Sequence, residues 1–259
     1  MLSIGQITAP SEAEALPPAV VALANDYPAG HRIEPHSHRR AQLIFASQGV
    51  MTVTTQAGAF VVPVQRAVWM PAGVVHQVES PGAYSMRTLL IREAAAANLP
   101  GRVCVVTVAP LLRAVIMALM AAPRDYPPDG PEARLAAVAL DLIAALPVAP
   151  LHLPMPSDPR LRALASRLIA DPSNNRSLEN WARDAAVSAR TLARLFTAQT
   201  GMTFRAWRQQ ARLLRALEMM AAGQSITTVA LDVGYDSPSA FSAMFRRALG
   251  VPPTRYFPN

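Results

Sequence analysis

Apolar and polar positions along this 259-residue chain follow two different periods. Between residues 20 and 108, apolar residues gather in short runs: QLIFAS (42–47), VMTVTT (50–55), AFVVP (59–63), AVWMP (67–71), VVHQVE (74–79) and MRTLLI (86–91). Glycine and proline punctuate them at short, fairly regular intervals. Runs of this length and composition predict strands, and their number predicts a closed or sandwiched antiparallel sheet, a small β-barrel. Two helical patterns follow, about 110–122 and 131–146. In the second, Leu135, Val138, Ala139, Leu142, Ile143 and Leu146 fall at i, i+3, i+4 spacing. The pair either joins two copies of the chain or covers an open face of the sheet.

Residues 147–159, PVAPLHLPMPSDP, hold five prolines and no sustained period, which predicts an extended, semi-rigid linker. Everything beyond it reads as helix: about 158–170, 177–184, 188–199, 203–222, 225–232, 238–249 and a last turn near 253–257. The expected class is α+β in two domains. A barrel with its helix pair occupies 1–146, the linker 147–159, and an all-α domain 160–257.

The all-α part repeats itself. SARTLARLFTAQTG (188–201) aligns with SPSAFSAMFRRALG (237–250) at an offset of 49, matching Ser188 to Ser237, Leu192 to Phe241, Phe196 to Phe245 and Gly201 to Gly250; Trp207 matches Tyr256. The preceding helices align at offset 48, Leu178 with Ile226 and Ala182 with Ala230, so the second unit carries one extra turn residue near Gly234. Each unit is a short helix with a small residue, a tight turn, and a serine N-cap opening a second helix. The small residue lets the helices cross closely, and Gly234 supplies a turn conformation that a Cβ resists. This is the helix-turn-helix arrangement, whose second helix enters the DNA major groove. Between the units, TFRAWRQQARLLRALEMMAAG reads as one helix roughly 30 Å long, against roughly 34 Å for a turn of B-DNA. Two second helices so spaced can enter successive major grooves.

Charge sharpens the division. All 24 basic residues are arginine. Residues 1–156 hold 10 Arg against 10 Asp and Glu, and residues 157–259 hold 14 against 7, so the net +7 lies wholly in the last 103 residues. A basic half joined to a neutral half points to a polyanion-binding module attached to something else. A 51% apolar composition supports a substantial core. The single cysteine, Cys104, excludes an internal disulfide and suits a reducing compartment. The first residues, MLSIGQITAPSEAEALPP, carry Glu12 and Glu14 and lack the basic-then-apolar pattern of a secretory leader. The apolar stretches are too short for a membrane span, so a cytoplasmic protein without membrane partners is expected.

The stretch ALDVGYDSPSAFSAMFRRALGVPPTRYF closes a region, about 160–257, that resembles the AraC/XylS family of bacterial transcription regulators. That resemblance implies double-stranded DNA as partner, with Arg190, Thr191, Ala193 and Arg194 facing bases from the first reading helix and Ser239, Ala240 and Ala243 from the second. Ala243 stands where many relatives carry a long polar residue. Arginines 190 and 194 can pair bidentately with guanine, whereas Ala243 offers only apolar contact, so the first helix carries more of the specificity. Arg246 and Arg247, late in the second helix, suit phosphate, as do the capping Ser188 and Ser237.

In the front half, GHRIEPHSHRRAQLIFASQG spaces Gly30, His36, His38, Gln42 and Gly49, and PAGVVH later places Pro71, Gly73 and His76. Both segments resemble the two signature segments of the cupin superfamily, which implies a cupin-like sensor barrel. Residues i and i+2 on a strand share a side, so His36 and His38 can converge with His76. Three imidazoles suit zinc, nickel, iron or copper. Gln42 stands where metal cupins have glutamate, so the group holds either a divalent ion or an organic ligand, or simply forms a polar floor. Trp69, Met51, Phe45 and Phe60 fall on predicted strands as core. The two readings are a dimeric regulator that answers a small-molecule or metal effector, with RNA polymerase a further candidate partner, and a metal-dependent cupin enzyme of dioxygenase or isomerase type with a helical appendage.

Overall fold

The computed structural model describes residues 10–256; residues 1–9 and 257–259, which include the expected end of the last turn at 257, lie outside the described residues. The chain divides into two units, Met1–Thr55 with Phe60–His152, and Gln56–Ala59 with Leu153–Asn259.

The first unit is built on two antiparallel sheets. After a short helix α1 (Pro10–Ala15) come β1 (Val20–Tyr27), β2 (Arg32–His36), β3 (Ala41–Gln48), β4 (Val50–Thr55), β5 (Gly58–Pro63), β6 (Arg66–Met70), β7 (His76–Glu79), β8 (Tyr84–Ile91) and β9 (Cys104–Thr107). Helices α2 (Pro110–Ala121) and α3 (Pro131–Ala144) follow, then two short strands, β10 (Val148–Ala149) and β11 (His152–Pro154). One sheet runs β1-β8-β3-β6-β9-β10 and the other β11-β5-β4-β7-β2. The proline-rich stretch is therefore extended, as its prolines require, and both its strands lie at sheet edges. There a missing N–H costs no ladder hydrogen bond.

Alternation decides what each sheet face does. Leu43, Phe45, Ala67, Trp69, Leu89 and Ile91 point to one face of the six-stranded sheet and pack with Leu112, Ile116, Ala139 and Ile143 of the helix pair. The helices thus cover the sheet, while Leu111, Met117 and Val138 remain exposed on their outer sides. Cys104 belongs to this core, and burial pushes its thiol above the ordinary range. The intervening residues, Leu23 and Asn25 on β1, Gln42 and Ile44 on β3, and Met86 and Thr88 on β8, point the other way, into a cavity.

No single strand stood out before residue 42 in the apolar pattern, and the structure gives the reason. β1 places polar Asn25 at a buried position and Asp26 outside, which breaks its run, and β2 is a largely exposed edge strand containing Pro35.

The second unit is helical: α4 (Pro159–Ala170), α5 (Leu178–Asp184), α6 (Ala189–Thr200), α7 (Phe204–Ala221), α8 (Ile226–Asp232), α9 (Pro238–Leu249) and a 3-10 turn at Pro253–Arg255. The repeat read in the sequence is physical. Phe196 meets Trp207 edge-on with ring centroids 5.4 Å apart, and 49 residues on Phe245 meets Tyr256 edge-on at 5.3 Å. α6 and α9 both end on a left-handed glycine, Gly201 and Gly250.

Candidate effector site and DNA-reading face

The three histidines meet. His36 ends β2 opposite His76, the first residue of β7, and their ring centroids are 4.4 Å apart; His38 lies 4.8 Å from His36 and 5.5 Å from His76. One ring nitrogen from each falls within 4.8 Å of the others. The expected route was different. β2 stops at His36 after a register shift, so His38 reaches the group from the following loop and not by alternation along a strand.

Each ring is oriented by a hydrogen bond on its far side. His36 Nδ1 donates to the Glu34 carbonyl at 2.7 Å and His76 Nδ1 to the Val74 carbonyl at 3.0 Å. His38 Nδ1 donates to Glu14 Oε1 at 2.7 Å. Carbonyl and carboxylate oxygens accept, so Nδ1 carries a proton in each ring, and a neutral ring then keeps its lone pair on Nε2. Burial drives the His76 pKa down to about 4. Burial also lowers that of His38, against the opposing pull of its Glu14 hydrogen bond. Both rings are therefore neutral near pH 7, the state that binds metal.

Gln42 lines the same cavity with its Oε1 buried and unpartnered, and Thr88 Oγ1 on the neighbouring strand is buried and unpartnered as well. The cavity measures about 320 Å³, walled by Leu23, Ile33, Ile44, Val78 and Met86, with Tyr27 stacked on His31. Buried polar atoms without partners cost free energy, so two in one cavity leave hydrogen-bonding capacity unmet there. Sequence reasoning missed Thr88, Asn25 and Glu14, the last read only as a charge unsuited to a leader. It also missed Arg40, which is 4% exposed and ties the end of α1 and the segment after it to the start of β3. Arg40 Nε donates to the Glu14 carbonyl at 3.2 Å, Nη1 to Pro18 O at 2.8 Å, and Nη2 to Leu16 O. The one available signal was the position of Arg40 directly behind the histidine pair.

In the helical unit, Ser188 accepts from the Thr191 N–H at 3.1 Å and Ser237 from the Ala240 N–H at 3.2 Å, capping α6 and α9. Ser188 Oγ also donates to Thr191 Oγ1 at 2.9 Å. Arg190 and Arg194 on α6, and Ser239, Ala240, Ala243, Arg246 and Arg247 on α9, are exposed; Thr191 and Ala193 are half-buried. Among the described residues no acid pairs with Arg190, Arg194, Arg246 or Arg247, whereas Arg167 and Arg176 share Asp184. α6 and α9 thus present guanidinium groups that no acid compensates among the described residues.

Residues 17–189 match the AraC-like ligand binding domain and residues 181–259 a helix-turn-helix domain. The chain belongs to the AraC family of transcriptional regulators. The HTH-type transcriptional regulator NimR of Escherichia coli K12 is 37% identical over 221 residues, 85% of this chain and 81% of that one. The HTH-type transcriptional regulator RipA of Corynebacterium glutamicum is 38% identical over 103 residues, 40% of this chain and 31% of that one. Fatty-acid-bound ToxT of Vibrio cholerae aligns over 92% of this chain and 94% of its own at 12% identity and a TM-score of 0.39. This AraC-family protein is a sequence-specific DNA-binding transcription regulator that responds to a small effector through its β-rich unit. Among its described residues no helix is long and apolar enough to cross a membrane.

Proposed function

We propose that the effector acts in the 320 Å³ cavity and that His36, His38 and His76 hold a divalent ion there through their Nε2 atoms. The observation that carries this is the commitment of all three Nδ1 atoms to outer partners, which leaves three lone pairs on neighbouring nitrogens. The donor set fits zinc, nickel, iron or copper, with the unpartnered Gln42 Oε1 beside it. A bound ion would supply positive charge and an attachment point. The apolar walls and Thr88 would select the rest of a small organic molecule. On this reading the site senses and does not catalyse.

DNA is read by Arg190, Thr191, Ala193 and Arg194 from α6 and by Ser239, Ala240 and Ala243 from α9, with Ser188, Ser237, Arg246 and Arg247 toward phosphates. Two copies associate in the cytoplasm through the exposed outer faces of α2 and α3, and RNA polymerase is the partner through which bound protein alters transcription. The test is elemental analysis of untagged protein followed by operator titration with and without chelator. About one ion per chain is expected, lost in His76→Ala, with operator affinity changed by the chelator. A metal-free parent indifferent to chelator and to each of the four metals would leave the cavity to an organic effector alone.

A further inference from the structure

α7 sets how far apart α6 and α9 lie, but a helix alone does not set how the second helix-turn-helix unit is turned about the first. A second connection bears on that. Arg212, midway along α7, is 8% exposed. Its Nε donates to Pro172 O at 2.8 Å and its Nη2 to Asn175 Oδ1 at 2.7 Å, and the guanidinium lies over the Tyr235 ring at 5.6 Å. Pro172 and Asn175 belong to the loop leading into α5; Tyr235 belongs to the turn between α8 and α9.

That loop and that turn touch. A Cβ at Gly234 would lie 2.8 Å from Ser173 Cα, 2.9 Å from Ser173 O and 2.8 Å from Arg212 Nη2. Left-handed backbone alone does not demand glycine here. Ala186 occupies the matching place in the first turn, 48 residues earlier, with φ 52° against 82° for Gly234. Glycine at 234 is required by the close approach.

We propose that Arg212 is a positioning residue for DNA reading, clamping the loop before the first helix-turn-helix unit against the turn of the second so that α6 and α9 meet one duplex in fixed register. A buried guanidinium is costly unless hydrogen-bonded, and here its rigid planar fork reaches acceptors on two residues while lying over a ring, a spread that the compact ammonium of lysine does not span in the same way. The proposal rests on the reading in which both helices enter DNA.

The experiment uses the full chain and an operator selected from random duplexes, together with versions in which either subsite is scrambled. Arg212→Met should weaken the intact operator about tenfold while staying within about twofold of the parent on each scrambled one, because only the joint engagement is lost. Inserting one base pair between the subsites, a turn of about 34°, should cost the parent more than the variant. Arg212→Lys should behave as Met does. If Arg212→Met fails to fold by circular dichroism, Asn175→Ala removes one anchor from an exposed position and should give the same pattern, smaller. Equal weakening on all three DNAs, no weakening at all, or full rescue by lysine overturns the proposal. A parent indifferent to one subsite overturns the two-helix reading and the proposal with it.

Discussion

Replacing Ala186 by glycine and Gly234 by alanine performs opposite changes at equivalent turn positions, and the structure predicts that the two effects do not cancel. Both turns are closed alike. Val187 N–H donates to Ala182 O at 3.0 Å and Tyr235 N–H to Ala230 O at 2.9 Å. Left-handed backbone costs an L-residue about 1–2 kcal/mol, while glycine's extra unfolded-state freedom costs about 0.4–1 kcal/mol. Ala186→Gly, at an exposed site, should therefore stabilise the helical unit by about 0.5–1 kcal/mol. Gly234→Ala incurs the same conformational difference in reverse. It also forces a methyl into three contacts under 3.0 Å, two of them to Ser173 main-chain atoms that cannot swing aside. Overpacking of that kind costs about 1–3 kcal/mol more, for a total of about 1.5–4 kcal/mol. Urea unfolding of the full chain, followed by far-UV circular dichroism, gives both values. Equal and opposite shifts would show that Gly234 serves backbone conformation only and that the close approach to Ser173 and Arg212 is unimportant.

Other consequences are equally measurable. Arg190→Ala and Arg194→Ala should each lose about 1–3 kcal/mol on a selected operator and less on random DNA, and unchanged specific affinity in both would remove α6 from base reading. Arg247→Ala should weaken all sequences alike and flatten the salt slope by about one charge; a sequence-selective loss would place it on a base. In chelator, the folded chain keeps His76 neutral down to about 4, whereas the unfolded chain protonates it near 6.5, so stability present above pH 6.5 should fall progressively toward pH 4. Urea midpoints flat across that window would contradict the buried, neutral ring. Leu111→Glu with Met117→Glu, on the exposed side of α2, should convert a sedimenting dimer to monomer and cut operator affinity by roughly 10²–10⁴. A monomeric parent would dispose of the helix pair as interface.

What was legible in the sequence was whatever repeats. Strands with one apolar face, helices at i, i+3, i+4 spacing and a duplicated unit all leave periodic traces, and the Phe196–Trp207 and Phe245–Tyr256 pairs show how closely the duplication is kept in three dimensions. What was not legible were single long-range contacts from a helix to an irregular segment. Glu14 of α1 reaches His38 across 24 positions and Arg212 of α7 reaches Asn175 across 37, and in each case the partner lies on a loop that carries no period. Buried polar residues misled in a related way. Asn25 faces the cavity, so it reads as a fault in a strand pattern when it is the lining, and Thr88, inside the predicted strand MRTLLI, carries no sign that it does the same. The Gly234 turn shows a third kind of limit. The residue was read correctly as a turn glycine, but its reason lies in Ser173, a neighbour that no local pattern names.

The acid of the histidine cluster stands one shell out, and that displacement suits a sensor. On the proposed reading, three imidazole ligands and the amide of Gln42 would leave the charge of a divalent ion uncompensated among its ligands, since Glu14 touches only the outer nitrogen of His38. A carboxylate in place of Gln42 would neutralise part of that charge and hold the ion more firmly. A firmly held ion serves chemistry that must not lose its cofactor. A regulator has the opposite need, because its output follows effector concentration only while binding reverses near that concentration. The uncompensated charge also gives the cavity something to recognise, an electron-rich group on a small molecule, that the cavity walls of Leu23, Ile33, Ile44, Val78 and Met86 do not supply. On the proposed reading, the feature that weakens the resemblance to a catalytic metal site is thus one that suits a reversible effector site.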